Sequence, residues 1–185
     1  MADDSTTIEL SRSELREVAG YAVACARPAL PIFERERPDD RRARAAIEAA
    51  QAFADGGERT KALRDSAWSA HRAAQESRDA GQAAASDAAR AAGHAVGAAF
   101  LHPLPKATQV KHILGSAAHA ARAFELSAGG DPAVGHDHIA QSRILAAPVV
   151  VDVLGRYPSA PPGGRRVGEL IRILDASLRR PATDR

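Results

Sequence analysis

Cysteine is almost missing. Cys25 is the only one in 185 residues, so no intrachain disulfide can form and a reducing, cytoplasmic setting is expected. Large rings are scarce too: one Trp, two Tyr and four Phe make up 4% of the chain. No apolar run approaches the roughly 18 residues of a membrane-spanning helix, which argues against an integral helical membrane protein. The opening Met1-Ala2-Asp3-Asp4 is acidic and leads into no long apolar stretch, so no secretory signal is expected. Charge of one sign is also lacking. Twenty-five basic residues against 23 acids leave a formal net charge of +2, with no basic face of the kind nucleic-acid binders show. Neither a nucleic-acid nor a membrane partner is therefore expected.

What is abundant is alanine, 43 residues in all. Ala loses no side-chain entropy in a helix and leads the propensity scale, so the expected fold is an all-α, single-domain, Ala-rich bundle of about seven helices with no sheet. Residues 1–8 are expected to be a loose leader, 9–180 the helical domain and 181–185 a tail. Ser11-Arg12-Ser13-Glu14 reads as a capping box ahead of Leu15, Val18, Ala19, Ala22, Val23 and Ala26. Pro28 and Pro31 break that helix and restart a short turn. Pro38-Asp39-Asp40 signals the next start, with acids favourable at the positive helix end, and Gly56-Gly57 its stop.

A third helix is expected from about Glu58 to Ser77, with Trp68 well round from Leu63, and a fourth from Gln82 to Leu101. The clearest stripe is Val110, Ile113, Leu114, Ala117, Ala121 and Phe124. Further helical stretches are expected around Ile139, then from Pro148 to Gly155. A Pro/Gly linker over 157–164 precedes the seam Val167, Leu170, Ile171, Leu174 and Leu178. In a core so poor in large side chains, replacing Phe124 or Trp68 by Ala should cost about 3–5 kcal/mol if the site is buried.

Chemistry is harder to find. There is no G-x-x-x-x-G-K-[ST], no G-x-G-x-x-G after a strand and no G-x-S-x-G elbow. Cys25, between Ala24 and Ala26 in a helix, reads as a buried structural thiol without a base beside it. Glu14, Glu48, Asp65, Asp87 and Asp152 are helical carboxylates with ordinary surface readings. No catalytic residue and no cofactor are expected.

Seven histidines (71, 94, 102, 112, 119, 136 and 138) keep a small His-based metalloprotein or metal-dependent hydrolase open as the alternative, with His94, His102 and His112 as ligands. Their spacing argues against it. There is no H-E-x-x-H, and His112 and His119 lie two turns apart, about 10 Å by helix rise. His136-Asp137-His138 would share a face only in an extended segment. Five arginines, Arg35, Arg37, Arg41, Arg42 and Arg44, form the densest basic cluster. Interleaved with Glu34, Glu36, Asp39 and Asp40, it reads as a compensated, solvated surface.

Certain phrases match a known pattern: LSRSELRE (10–17), ACARPALPIFE (24–34), RPDDRRARAAIEA (37–49), AAGHAVG (91–97) and HILGSAAHA (112–120). With them the stretch from Leu10 to Leu126 resembles the alpha-helical, immunity-5-like proteins that accompany bacterial polymorphic toxins. Residues 127–180 fit more loosely. The resemblance implies an all-helical, non-catalytic binding protein that neutralises a cognate toxin, itself a protein. It carries over no binding residues; the five arginines are the expected part of the contact surface. Oligomeric state is not legible.

Overall fold

The computed structural model describes residues 7–180, and every regular element among them is helical. Nine α-helices occur: α1 (Arg12–Ala26), α2 (Leu30–Glu36), α3 (Arg42–Ala54), α4 (Lys61–Asp79), α5 (Ala83–Ala98), α6 (Val110–Ser127), α7 (Pro132–Leu145), α8 (Pro148–Gly155) and α9 (Arg165–Arg179). A single 3-10 turn, Arg27–Ala29, carries α1 straight into α2, so the described residues form eight continuous rods. The expected count of about seven is thus one short. Pro28 and Pro31 do not break the rod, because each sits in the first turn of a new helical segment, where a missing N–H is not needed. The real break is between α7 and α8. Ala146 and Ala147 are extended there, the conformation that a following proline favours.

Local signals explain most boundaries. Ser11 Oγ accepts from the Glu14 amide at 3.1 Å and Glu14 Oε2 accepts from the Ser11 amide at 2.8 Å, a complete capping box. Thr60 caps α4 through Leu63 N, and Asp131 caps α7 through Ala133 N. Asp40 acts from two residues outside α3: its Oδ1 accepts from the Arg42 amide at 3.1 Å. After α3 the chain turns at Gly56, whose φ of +117° is open to glycine alone at no steric cost.

The core is continuous and mostly alanine. Ala19, Ala22 and Ala26 of α1, Ala43, Ala46 and Ala50 of α3, most alanines of α5 and those of α6 are buried, and Phe33, Phe53, Ile47, Ile113, Leu114 and Leu170 fill the space between rods. α5 lies at the centre, packed on α1, α2, α3, α4 and α6. Small faces let helices approach toward the low end of the usual 8–10 Å separation.

Two expectations change on packing. Trp68 is 62% exposed, not a core anchor. α4 packs on two neighbours, α3 and α5, and its buried residues include Leu63, Ala70, Ala73 and Ala74 but not Trp68. Phe124 is half-buried and stacks on His138 with ring centroids 3.7 Å apart. Of the expected leader, residues 1–6 lie outside the described residues, as does the tail 181–185. Ile8, however, is buried against the core, and its amide donates to Pro103 O at 2.7 Å.

Two arginine clamps close the C-terminal third. Arg156, at the end of α8, donates to Glu9 O at 2.7 Å and to Glu14 Oε1 at 2.5 Å, and also pairs with Asp152. These bonds hold the Glu14 carboxyl down to about 2, the Arg156 bond being the largest cause. Arg179 pairs with the buried Asp175 at 2.6 Å and donates to the carbonyls of Tyr157 and Leu154, while Asp175 accepts from Ala160 N. The 157–164 linker is thereby pinned to α9.

Candidate functional site

The sequence offers two groups of candidate residues, and the fold treats them differently. Four of the five clustered arginines are held by acids of the same chain. Arg44 makes a two-pronged pair with Glu34 (2.6 and 2.8 Å), and Arg42 bridges Asp40 and Glu76. Arg37 binds Gln82 at 3.0 Å and lies 3.7 Å from Glu76; Arg35 lies 3.7 Å from Glu36. Arg41 is exposed and makes no such pair among the described residues. The acids interleaved in the sequence are thus supplemented by Glu76, which α4 delivers to the same patch.

The histidines behave otherwise. α5 presents Arg90, Gly93, His94 and Gly97 along one stripe, and α6 answers with His112, Gly115 and His119. Imidazoles fit between the rods because glycines make room. A Cβ at Gly115 would come within 2.8 Å of His94 Nδ1, and one at Gly97 within 3.3 Å of His112 Nδ1. His94 stacks on His119, centroids 5.1 Å apart and planes 17° from parallel, and stands 6.4 Å from His112. His119 Nδ1 in turn donates to Asp87 Oδ1 at 2.6 Å. Burial, reinforced by neighbouring His119, His112, Lys111 and Arg90, holds His94 well below the usual imidazole range; burial and Lys111 lower His112. Both rings are neutral at pH 7. His112 Nδ1 is buried without a hydrogen-bond partner among the described residues.

Above these rings, α4 contributes Trp68 and His71, edge to face at 6.2 Å. Together they enclose an open cavity of about 230 Å³ lined by Trp68, His71, Arg90, His94 and His112, with Ala67, Gly93 and Gly97 as its small-residue walls. Arg90 is half-buried there and has no carboxylate partner among the described residues. No acidic residue lines the cavity.

Of the three histidines named as metal ligands, the fold brings His94 and His112 together. His102 sits exposed on the loop after α5, its Nδ1 accepting from Leu104 N. Among the described residues, no three His, Cys, Asp or Glu side chains form a group that could hold a metal ion. His136 and His138 lie on α7 rather than on an extended segment, so they point apart: His138 onto Phe124, His136 toward Arg166. Cys25 is buried and its thiol is pushed up to about 11, chiefly by burial.

Sequence reasoning missed the cavity itself. Its signal was present as the i, i+3, i+4, i+7 series Arg90, Gly93, His94, Gly97, a polar and glycine interruption of an otherwise alanine face. Ala abundance hid it.

Among the described residues, no helix is long and apolar enough to cross a membrane. No curated protein and no solved structure gives a significant match to the chain. The family described as Imm-5 like putative immunity protein matches residues 9–147, about three quarters of the sequence. The chain belongs to that family.

Proposed function

We propose, taking that family membership as the premise, that this protein is a cytoplasmic immunity protein which neutralises a cognate bacterial toxin by binding it, without catalysis of its own. The observation that carries the reading is Trp68, 62% exposed on a helical scaffold beside the unpaired Arg90. Trp and Arg are the residue types that most often anchor protein interfaces, and a monomer gains nothing in stability by exposing an indole. The glycine-floored cavity beneath gives such an anchor somewhere to bring a partner side chain.

A standard interface buries about 800 Å² per protein. The α4–α5 face can be extended toward Glu76, which borders the Arg37/Arg42 patch. Within that patch Arg41 is the cation open to an outside acid, and Arg35, Arg37, Arg42 and Arg44 would contribute only by exchanging a partner they already have. They belong to the rim of the proposed surface rather than its centre.

The test is to inspect the genes flanking this one and to co-express the chain with the toxin that the reading expects there. Cells carrying the wild-type chain should grow, and the two proteins should co-purify. Trp68→Ala should weaken the complex by at least about 2 kcal/mol, the threshold of an interface hot spot, while leaving helicity intact. Unprotected cells in the presence of abundant, folded wild-type chain would refute the reading.

A further inference from the structure

We infer that the cavity between α4, α5 and α6 is a specificity pocket for an aromatic side chain standing next to a carboxylate on the bound protein. The ring would enter beside Trp68 and the carboxylate would pair with Arg90. The assignment rests on the toxin-binding reading above and adds the chemistry of the group recognised.

Size gives the first argument. At about 230 Å³ the cavity falls below the roughly 300–1,000 Å³ of sites that enclose a small molecule or cofactor. One side chain fits that space. Shape and polarity give the second. The walls are flat rings (Trp68, His71, His94) and backbone bared by Gly93 and Gly97, a setting in which another ring gains edge and face contacts beyond its buried area.

Charge gives the third. Arg90 is the cationic side chain of the lining, Lys111 adds positive charge close to His94 and His112, and no acid lines the cavity. The acid nearest in sequence to Arg90, Asp87, is engaged by His119. An arginine half out of water with no anion is a site awaiting one, and charge-assisted pairs to guanidinium are about twice as strong as neutral hydrogen bonds.

The experiment uses the full chain and its own reporter, since Trp68 is the only tryptophan. The blocked dipeptide acetyl-Phe-Asp-amide is titrated while Trp68 fluorescence is followed. Its neutral isostere acetyl-Phe-Asn-amide and free phenylacetate serve as comparisons. Expected are saturable binding of the Asp peptide with a Kd of about 1 mM or tighter, the range open to a single anchoring side chain. The Asn peptide should bind at least about tenfold more weakly, and Arg90→Gln should erase that difference. Absence of saturation, equal binding of the two peptides, or full retention in Arg90→Gln each overturns the assignment. Binding of phenylacetate without the Asp peptide overturns it as well, in favour of a free small anion. The peptide comparison on the wild-type chain decides the matter even if Arg90→Gln fails to fold. If the peptides fail while the wild-type chain still protects cells from the toxin, this pocket assignment falls and toxin binding stands. If the peptides bind and protection fails, the reverse holds.

Discussion

Two junctions of this bundle put ionisable groups between helices, and they solve the problem in opposite ways. Where α6, α7 and α9 meet, Glu125 is completely buried, and Arg122 and Arg166 reach it with donors at 2.8 and 3.0 Å. Burial alone would raise its carboxyl, but the two guanidinium groups outweigh burial and keep it below its ordinary value. Gly135 of α7 lies so close that a Cβ there would sit 2.0 Å from Glu125 Oε1. Where α4, α5 and α6 meet, glycines again admit polar rings, yet among the described residues Arg90 has no carboxylate partner and His112 Nδ1 no hydrogen-bond partner, and the junction opens to solvent. The first junction satisfies its charges internally; the second pairs His119 with Asp87 but leaves Arg90 without an anion among the described residues. Within one molecule, a satisfied buried charge marks structure and an unsatisfied one marks a candidate contact.

The sharpest way to break the comparison is to unpair the closed junction. Glu125→Ala should destabilise the protein by about 3 kcal/mol, the lower end of the range for breaking a buried pair because both arginines reach solvent; a urea titration at pH 7 reads it. Next comes steric response. Gly135→Ala should cost about 2 kcal/mol by overpacking against Glu125. Gly93→Ala, whose new methyl would find only ordinary contacts at 3.6 and 3.7 Å, should stabilise by up to about 1 kcal/mol through helix propensity. If both changed stability alike in thermal melts, the contrast between the junctions would be lost.

Acid separates them further. His94 and His112 are lowered in the folded protein, so below about pH 6.5 the unfolded chain binds protons that the folded chain does not. Stability should therefore fall as pH drops from about 6.5, and His94→Leu should flatten that slope in urea titrations between pH 7 and 5. Glu14, held at about 2, gives a separate loss only below about pH 4.5. The smallest effect belongs to Trp68→Ala. At 62% exposure it should change stability by no more than about 0.5 kcal/mol, in contrast to its effect on binding.

Much of the architecture was legible because caps and seams are local. The Ser11–Glu14 box, the start of α8 at Pro148 and the Leu170–Leu174–Leu178 seam each follow from a few neighbouring residues. The burial of Trp68 was misjudged for a physical reason. Among so few large side chains an indole looks indispensable to the core, but alanine faces packed at short range leave it no room. The cavity was illegible because it joins three helices whose contributing residues span 67–112, and only the packing of α4 on α5 makes Trp68 and Arg90 neighbours. The arginine cluster was read correctly as compensated, although Glu76, which pairs with Arg42 and Arg37, comes from a helix that the local sequence does not reveal.

The Arg156 clamp has a consequence for how the molecule is made. It joins residues 142 positions apart, Glu14 and Arg156, and closing a loop of that length costs on the order of 4 kcal/mol of chain entropy before any contact repays it. During synthesis Glu14, already bonded to the Ser11 amide, must wait for its arginine until α8 has left the ribosome. A chain stalled before Arg156 is a chain whose front end has not yet been locked.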